Sequence, residues 1–338
     1  AVFQPLMIFM VGLSTLITIY VGGKLYMAGE VSAGNITEFI YYVNLLTWPI
    51  ASIGWVTSLV QSASASMERL DEFLNEAPDF ESGQFIPTEF KGHIVFDRVS
   101  FTYPNSGVQA LKEVSFELKS GQSLGVLGKT GAGKSTIAAL IVRQYDPTSG
   151  AIYIDGVNLK EWNLPALKGH LGWVPQEAFL FSDTIANNIS FGMDSFNLPE
   201  VIAASKAAGV HGNIIEFPKS YETRVGERGV TLSGGQKQRV SIARALIKKP
   251  EIMVFDDCLS AVDTETEEII LTNIKAATQD VSSLIIAHRI SSVKHCDQII
   301  CLEDGRVIER GTAEELEQAG GHFAELVALQ LDSSLEEN

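Results

Sequence analysis

The sequence predicts two parts: an all-α segment of two long apolar helices, then a larger α/β domain built around a glycine-rich loop. Three observations carry this prediction. Two uncharged apolar runs stand back to back near the beginning of the chain. From Lys91 onward, short β-rich runs alternate with helical patterns. One of these short runs leads directly into Gly128-Lys129-Thr130-Gly131-Ala132-Gly133-Lys134-Ser135.

The first part is judged by charge and length. Val2 to Gly23 contains no charged residue, and a helix of roughly 20 apolar residues crosses a bilayer core. A polar interval from Lys24 to Glu38 follows, and Phe39 to Met67 is again free of charge, with its apolar portion at about Phe39 to Val60. Spans are therefore expected at about 2–23 and 39–60. A pair of buried helices in a soluble protein is the less favoured alternative. The second span carries Tyr41, Tyr42, Asn44, Thr47, Ser52, Thr57 and Ser58, which face either a cavity or a neighbouring helix. Pro49 is expected to bend it. Gln61 to Ser66 reads as helix leaving the membrane, and Glu68 to Leu74 continues it amphipathically. A signal peptide is excluded, because there is no basic n-region and the apolar run is too long. The chain starts at Ala1 rather than Met and is expected to be a piece of something longer. Lys24 and Arg69 are too few to orient the spans by the positive-inside rule.

Pro78, Gly83 and Pro87 punctuate a linker, so the expected organisation is a partial membrane domain at 1–75, linker at 76–90, α/β domain at 91–332 and tail at 333–338. Strands are expected at Ile94–Phe101, Ser123–Leu127, Ile152–Ile154, Ile252–Phe255, Ser283–Ile286 and Gln298–Leu302. Helices are expected from Lys134 to Gln144 and from Lys237 to Lys249.

Net charge is −16 and the pI is about 4.8. That balance argues against nucleic acid as a partner, since phosphate-backbone binding relies on a Lys/Arg surplus. It also disfavours soluble ATPases of translation and DNA repair that carry similar motifs. Cys258, Cys296 and Cys301 have no metal-ligand spacing and are expected to be reduced, buried small hydrophobes.

The chemistry starts at the glycine-rich loop, which has the strand–loop–helix context of a phosphate-binding loop. Glycines 128, 131 and 133 let the backbone approach phosphate oxygens, Lys134 neutralises the β/γ-phosphates, and the Ser135 hydroxyl ligates Mg²⁺. By itself this loop indicates only a nucleoside triphosphate. Ile252 to Phe255 is an apolar strand ending in Asp256, placed to hold Mg²⁺ directly or through water. Leu232-Ser233-Gly234-Gly235-Gln236 is a second glycine-rich turn opening a basic helix, hence a second anion site. Ser233, Gly234, Gly235 and Gln236 make little sense in a single molecule, because one nucleotide already has its cradle.

With that run added, the chain resembles the ATP-binding cassette family. The resemblance implies a RecA-like core, a helical subdomain and an antiparallel β-subdomain, with ATP and Mg²⁺ as cofactors. It implies adenine stacking on Tyr103 and nucleotide contacts from Thr130, Thr136 and Asp263, the last in a loop crossing between subunits. It further implies that Gln176 senses Mg²⁺ and the attacking water and that His288 is the switch histidine at the γ-phosphate. Val225-Gly226-Glu227-Arg228-Gly229 is similar to a stretch of exporters in the family. The spans resemble the last two helices of an exporter half-transporter in a cell membrane, multi-pass, with a cytoplasmic ATPase. The partner implied is a second half-transporter, identical or different, that supplies the nucleotide for Ser233. One position departs from the pattern: the family usually has the glutamate general base where this chain has Asp257. Aspartate reaches about 1.5 Å less, so a slow site that binds ATP well is expected. Catalytic residues are thus expected to be Asp257, His288 and Gln176, and metal-site residues Ser135, Gln176 and Asp256. Alternatively the chain is a regulatory ATP-binding subunit. The transported substrate is not encoded in these motifs.

Overall fold

A computed structural model describes residues 3–76, 81–226, 232–258, 270–273, 276 and 281–336. The chain divides into two compact units, Ala1–Asp79 and Phe80–Asn338.

The first unit is a helical hairpin of α1 (Phe3–Met27) and α2 (Ala33–Leu74). Both helices outrun the expected spans. Gly29, at φ +78°, sits in the turn between them. Ser32 then caps α2: its hydroxyl accepts from the Asn35 N–H, while the Asn35 side chain accepts from the Ser32 N–H. A cap at that point starts α2 six residues before the apolar run begins at Phe39. Pro49 lies inside α2 and leaves the Leu45 carbonyl without its intrahelical donor. Gly22 allows close approach at the hairpin, since a Cβ there would lie 2.9 Å from Ile36 Cγ1. Both helices have stretches long and apolar enough to cross a membrane, and none of those stretches is buried within the unit.

The second unit has two sheets. In the first, β1 (Ile94–Thr102) pairs antiparallel with β2 (Gln109–Leu118) and β4 (Ser149–Ile154), and β5 (Val157–Asn158) completes the order β2-β1-β4-β5. The second sheet contains β3 (Ser123–Gly128), β6 (Leu171–Val174), β7 (Ile252–Asp256), β8 (Ser282–Ile286), β9 (Gln298–Glu303) and β10 (Arg306–Gly311). Its order is β10-β9-β3-β8-β7-β6, parallel except where β10 turns back on β9. The helices are α3 (Lys134–Ile141), α4 (Leu164–His170), α5 (Ile185–Ile189), α6 (Leu198–Ala207), α7 (His211–Ile215), α8 (Gly234–Leu246), α9 (Ile290–Val293), α10 (Ala313–Ala319) and α11 (His322–Glu336).

Strand β7 explains how the layers fit. Ile252 and Val254 point into one core, with Phe96, Ile137 and Leu140; Met253 and Phe255 point into another, with Ile185, Val201 and Val240 of the helical region. Successive side chains of a strand face opposite sides, so a run that is apolar at every position is buried on both. A third core joins Leu127, Ala287, Ile290 and Phe323.

All six expected strands are present. Four further strands, β2, β5, β6 and β10, were not expected. Strand β2 carries Lys112, Glu113 and Glu117 and is interrupted at Glu113 (φ +53°), while β5 and β6 are very short. The first expected helix ends at Ile141 instead of Gln144, because Arg143 takes a left-handed conformation (φ +50°). The second starts at Gly234 instead of Lys237, because Ser233 caps it. Part of the expected linker lies on the second unit: Phe85 N–H donates to the Glu161 carbonyl at 2.9 Å, its ring meets Trp162 edge-on, and Arg143 reaches the Glu81 carbonyl at 3.1 Å.

All three cysteines are free and buried. Burial, with Glu309 beside it, pushes the Cys301 thiol up to about 12, so its reactive thiolate is scarce at neutral pH. Iodoacetamide at pH 7.5 is therefore expected to label the native chain slowly and all three cysteines rapidly after denaturation, as read by intact mass.

Candidate active site

Three of the loop's glycines have positive φ: Gly128 (+156°), Gly131 (+84°) and Gly133 (+100°). A Cβ on Gly128 would sit 2.4 Å from the Leu302 carbonyl oxygen, and one on Gly133 would sit 2.5 Å from that of Ala110. Gly131 has no neighbour within 4 Å, so only its conformation calls for glycine. Helix α3 follows with no side-chain cap, which leaves its first N–H groups for an anion. Thr130 is exposed on the loop.

Lys134 is only 6 % exposed. Its Nζ donates to the carbonyls of Gly128 (2.7 Å) and Lys129 (3.0 Å). Burial lowers its pKa, while Asp257 and Asp256 act in the opposite direction. The ammonium is thus held at the loop's mouth, where phosphate oxygens compete for its protons.

Asp256 ends β7 and Asp257 follows it, and both are buried. Asp256 Oδ1 accepts from the Ser135 hydroxyl at 2.8 Å. Burial raises the Asp256 pKa; the Ser135 hydrogen bond pulls it down and neighbouring Asp257 adds to the rise. A hydroxyl and a carboxylate in contact fit Mg²⁺, a hard cation that takes oxygen ligands. Among the described residues no group of three His, Cys, Asp or Glu is placed to hold a metal ion. When bound, Mg²⁺ neutralises charge developing on the phosphates.

Asp257 takes the left-handed conformation (φ +45°), and its N–H donates to the Ile286 carbonyl at 2.9 Å. Its Oδ2 accepts from Gln176 Nε2 at 3.3 Å and lies 3.8 Å from His288 Nε2. On its other side His288 places Nδ1 3.4 Å from Lys134 Nζ. An ammonium has no acceptor, so in the neutral ring Nδ1 accepts and the ring proton sits on Nε2, facing Asp257. Lys134, Ser135, Gln176, Asp256, Asp257 and His288, drawn from four segments of sequence, therefore meet at the C-terminal ends of β3, β6, β7 and β8.

Tyr103 is near but separate from that cluster. Its hydroxyl shares a 3.1 Å hydrogen bond with Thr136, and its ring packs edge-on against Phe101 and Tyr145. Ser233 sits at the start of α8. Its Oγ accepts from the Gln236 N–H at 3.2 Å, and Gln236 Oε1 accepts from the Ser233 N–H at 3.0 Å, with Gly234 and Gly235 in the first turn. Leu232 belongs to the helical-region core, so the second anion turn and the phosphate loop rest on different cores. Asp263 and residues 227–229 of the exporter-like stretch lie outside the described residues.

Two features escaped the sequence reading. Gln238 of α8 is buried and donates through Nε2 to the Gln176 carbonyl at 3.3 Å. Arg244 donates to the carbonyls of Asn188 (2.7 Å) and Phe179 (2.8 Å) and to Asn188 Oδ1 (2.9 Å), and burial lowers its pKa to about 10. Around it, Phe179, Phe181 and Phe191 expose rings to solvent. The available signal was alternation: Leu180 is buried between two exposed phenylalanines.

A family described as "ABC transporter" matches residues 111–260. The probable multidrug resistance ABC transporter ATP-binding/permease protein YheI of Bacillus subtilis is 40 % identical over 327 residues, covering 96 % of this chain and 56 % of that protein. The chain belongs to the ATP-binding cassette (ABC) transporter family. The ATP-dependent lipid A-core flippase of Pseudomonas putida is 39 % identical over 310 residues, covering 91 % of this chain and 51 % of that one. A bacterial Atm1-family ABC exporter solved with ATP bound superposes with a TM-score of 0.80 at 34 % identity, covering 96 % of this chain and 57 % of the other. The chain thus spans about half the length of the curated relatives it matches. The α/β unit is an ABC ATP-binding domain, with RecA-like core, helical region and antiparallel sheet in place.

Phosphate bound at this loop would take a charge-assisted hydrogen bond from the buried Lys134 and should depend on that one charge. A charge-assisted hydrogen bond is worth about 1.5–3 kcal/mol, so Lys134→Ala is expected to weaken ATP binding by roughly 10- to 100-fold, measured by titration with a fluorescent ATP analogue.

Proposed function

We propose that this chain is the ATP-binding and ATP-hydrolysing part of an ABC exporter subunit, in which two cassettes close head to tail on ATP and reopen after hydrolysis. The membrane-length helices ahead of the ATP-binding domain support this reading, as do relatives named for multidrug resistance and lipid flipping. In the proposed cycle Lys134 and the glycine backbone hold the phosphates, Ser135 and Asp256 hold Mg²⁺, and Tyr103 meets the adenine. Ser233–Gln236 and Asp263 serve the nucleotide of a partner half-transporter. The exposed rings of Phe179, Phe181 and Phe191, close in sequence to Gln176, offer an apolar surface for intracellular loops of a membrane domain.

Asp257 carries the finer reading. It stands where the family places its general base, within reach of Gln176 and His288, but it is one methylene short. We therefore assign to the site on Lys134 ordinary nucleotide affinity and slow turnover. A misplacement of about 1 Å costs up to 10²-fold in rate. Single-turnover hydrolysis by Asp257→Glu should accordingly run about 10- to 100-fold faster than by the unsubstituted chain; an equal rate would sink the idea.

The same residue favours a second reading, a regulatory ATP-binding subunit whose partner performs nearly all hydrolysis. ATPase of the chain alone, compared with that of a mixed dimer, separates the two. Turnover confined to the mixed dimer supports the regulatory role.

A further inference from the structure

The last described helix, α11, is tied to the rest of the second unit at its start and again near its middle. At the start, Glu309 of β10 accepts from the N–H groups of His322 (2.5 Å) and Phe323 (2.9 Å). A carboxylate at a helix N-terminus satisfies donors that have no intrahelical partner and complements the helix dipole. Phe323, Leu326 and Val327 then form an apolar stripe at i, i+3 and i+4, packed into the core that holds Leu127, Ala287 and Ile290. Leu127 immediately precedes the phosphate loop and Ala287 immediately precedes His288.

The next position on that stripe, i+7, is Gln330. Its Nε2 donates to the His288 carbonyl at 2.8 Å, and its Oε1 accepts from the Ile290 N–H at 3.0 Å. The side-chain amide thus bridges the backbone on both sides of Arg289, as a second peptide strand would. Ile290 N–H is the first donor of α9 and has no partner within that helix. The His288 carbonyl lies in the loop between β8 and α9, outside any ladder. A polar side chain on an otherwise apolar stripe is costly unless paired, and here it is paired twice.

We infer that Gln330 is a positioning residue for His288: through two backbone hydrogen bonds, α11 holds the loop that aims the imidazole between Lys134 and Asp257. Gln330 acts through the backbone of that loop. The inference rests on the proposed role of His288 in turnover.

Two readouts on the full-length chain test it. Without nucleotide, amide hydrogen exchange in a peptide spanning 287–292 reports the Ile290 N–H directly. Gln330→Leu should speed exchange there about tenfold. Gln330→Glu, which keeps the acceptor, should leave the Ile290 protection close to the original. With ATP, Gln330→Leu should lower kcat about three- to tenfold while KM for ATP changes less than twofold, at unchanged thermal unfolding temperature. Unaltered exchange in Gln330→Leu overturns the clamp. Faster exchange with an unaltered kcat overturns its bearing on turnover, and so does a loss of kcat that tracks a fall in unfolding temperature in both variants. His288→Ala separates the two levels: if it leaves turnover intact, the reading of His288 fails, whereas the exchange result still decides whether Gln330 holds the loop.

Discussion

Two adjacent carboxylates at the end of a strand buried on both faces set the terms for the α/β unit. Desolvation raises the pKa of Asp256, and Asp257 beside it adds like-charge repulsion. Each neighbouring element answers that cost with a donor or a cation. The phosphate loop and α3 bring Lys134 and Ser135, the segment after β6 brings Gln176, and the loop after β8 brings His288. In the proposed cycle Mg²⁺ would add the remaining positive charge at Ser135 and Asp256, sharing its oxygen ligands with the phosphates.

The first unit poses the opposite problem. Leu16, Trp48, Ile53 and Trp55 each expose half or more of their surface, and α2 buries no residue at all. Such a hairpin has no core of its own to resist water. Lipid or further helices must cover it, and at roughly 25 cal/mol per Å² of apolar surface that covering is a large share of its stability. Polar groups along α2 are partly settled locally: Thr47 and Thr57 donate to carbonyls one turn back, as does Asn44. These bonds lower the cost of polarity in a membrane and leave open which face meets a cavity.

Much of this was readable in the sequence, and the reasons differ by element. The phosphate loop, the strand ending in Asp256 and the two helices announce themselves through composition, since glycine, buried apolar runs and absence of charge are direct physical demands. Strand β2 did not, because Lys112, Glu113 and Glu117 separate its buried Leu111, Val114, Phe116 and Leu118, and the left-handed backbone at Glu113 breaks their alternation. Helix limits were missed where the decision lay in a cap: Ser32 and Ser233 start their helices earlier than hydrophobicity suggests. Gln238 and Gln330 were invisible for another reason. Each acts on a backbone group of a distant segment, and backbone partners leave no trace in residue type.

Asp257 has one more consequence, through its φ of +45°. Aspartate is among the few non-glycine residues that visit the left-handed region readily, because its short side chain can bond locally; a longer side chain gains no such relief. Backbone economy at this turn therefore favours aspartate, whereas the general-base role proposed for this position would favour the longer reach of glutamate. The two demands fall on a single residue and pull it in opposite directions, a stability–activity trade-off confined to one methylene. In a dimer of unlike subunits, selection could settle that trade-off separately in each chain, with one keeping the relaxed turn and the other the longer base.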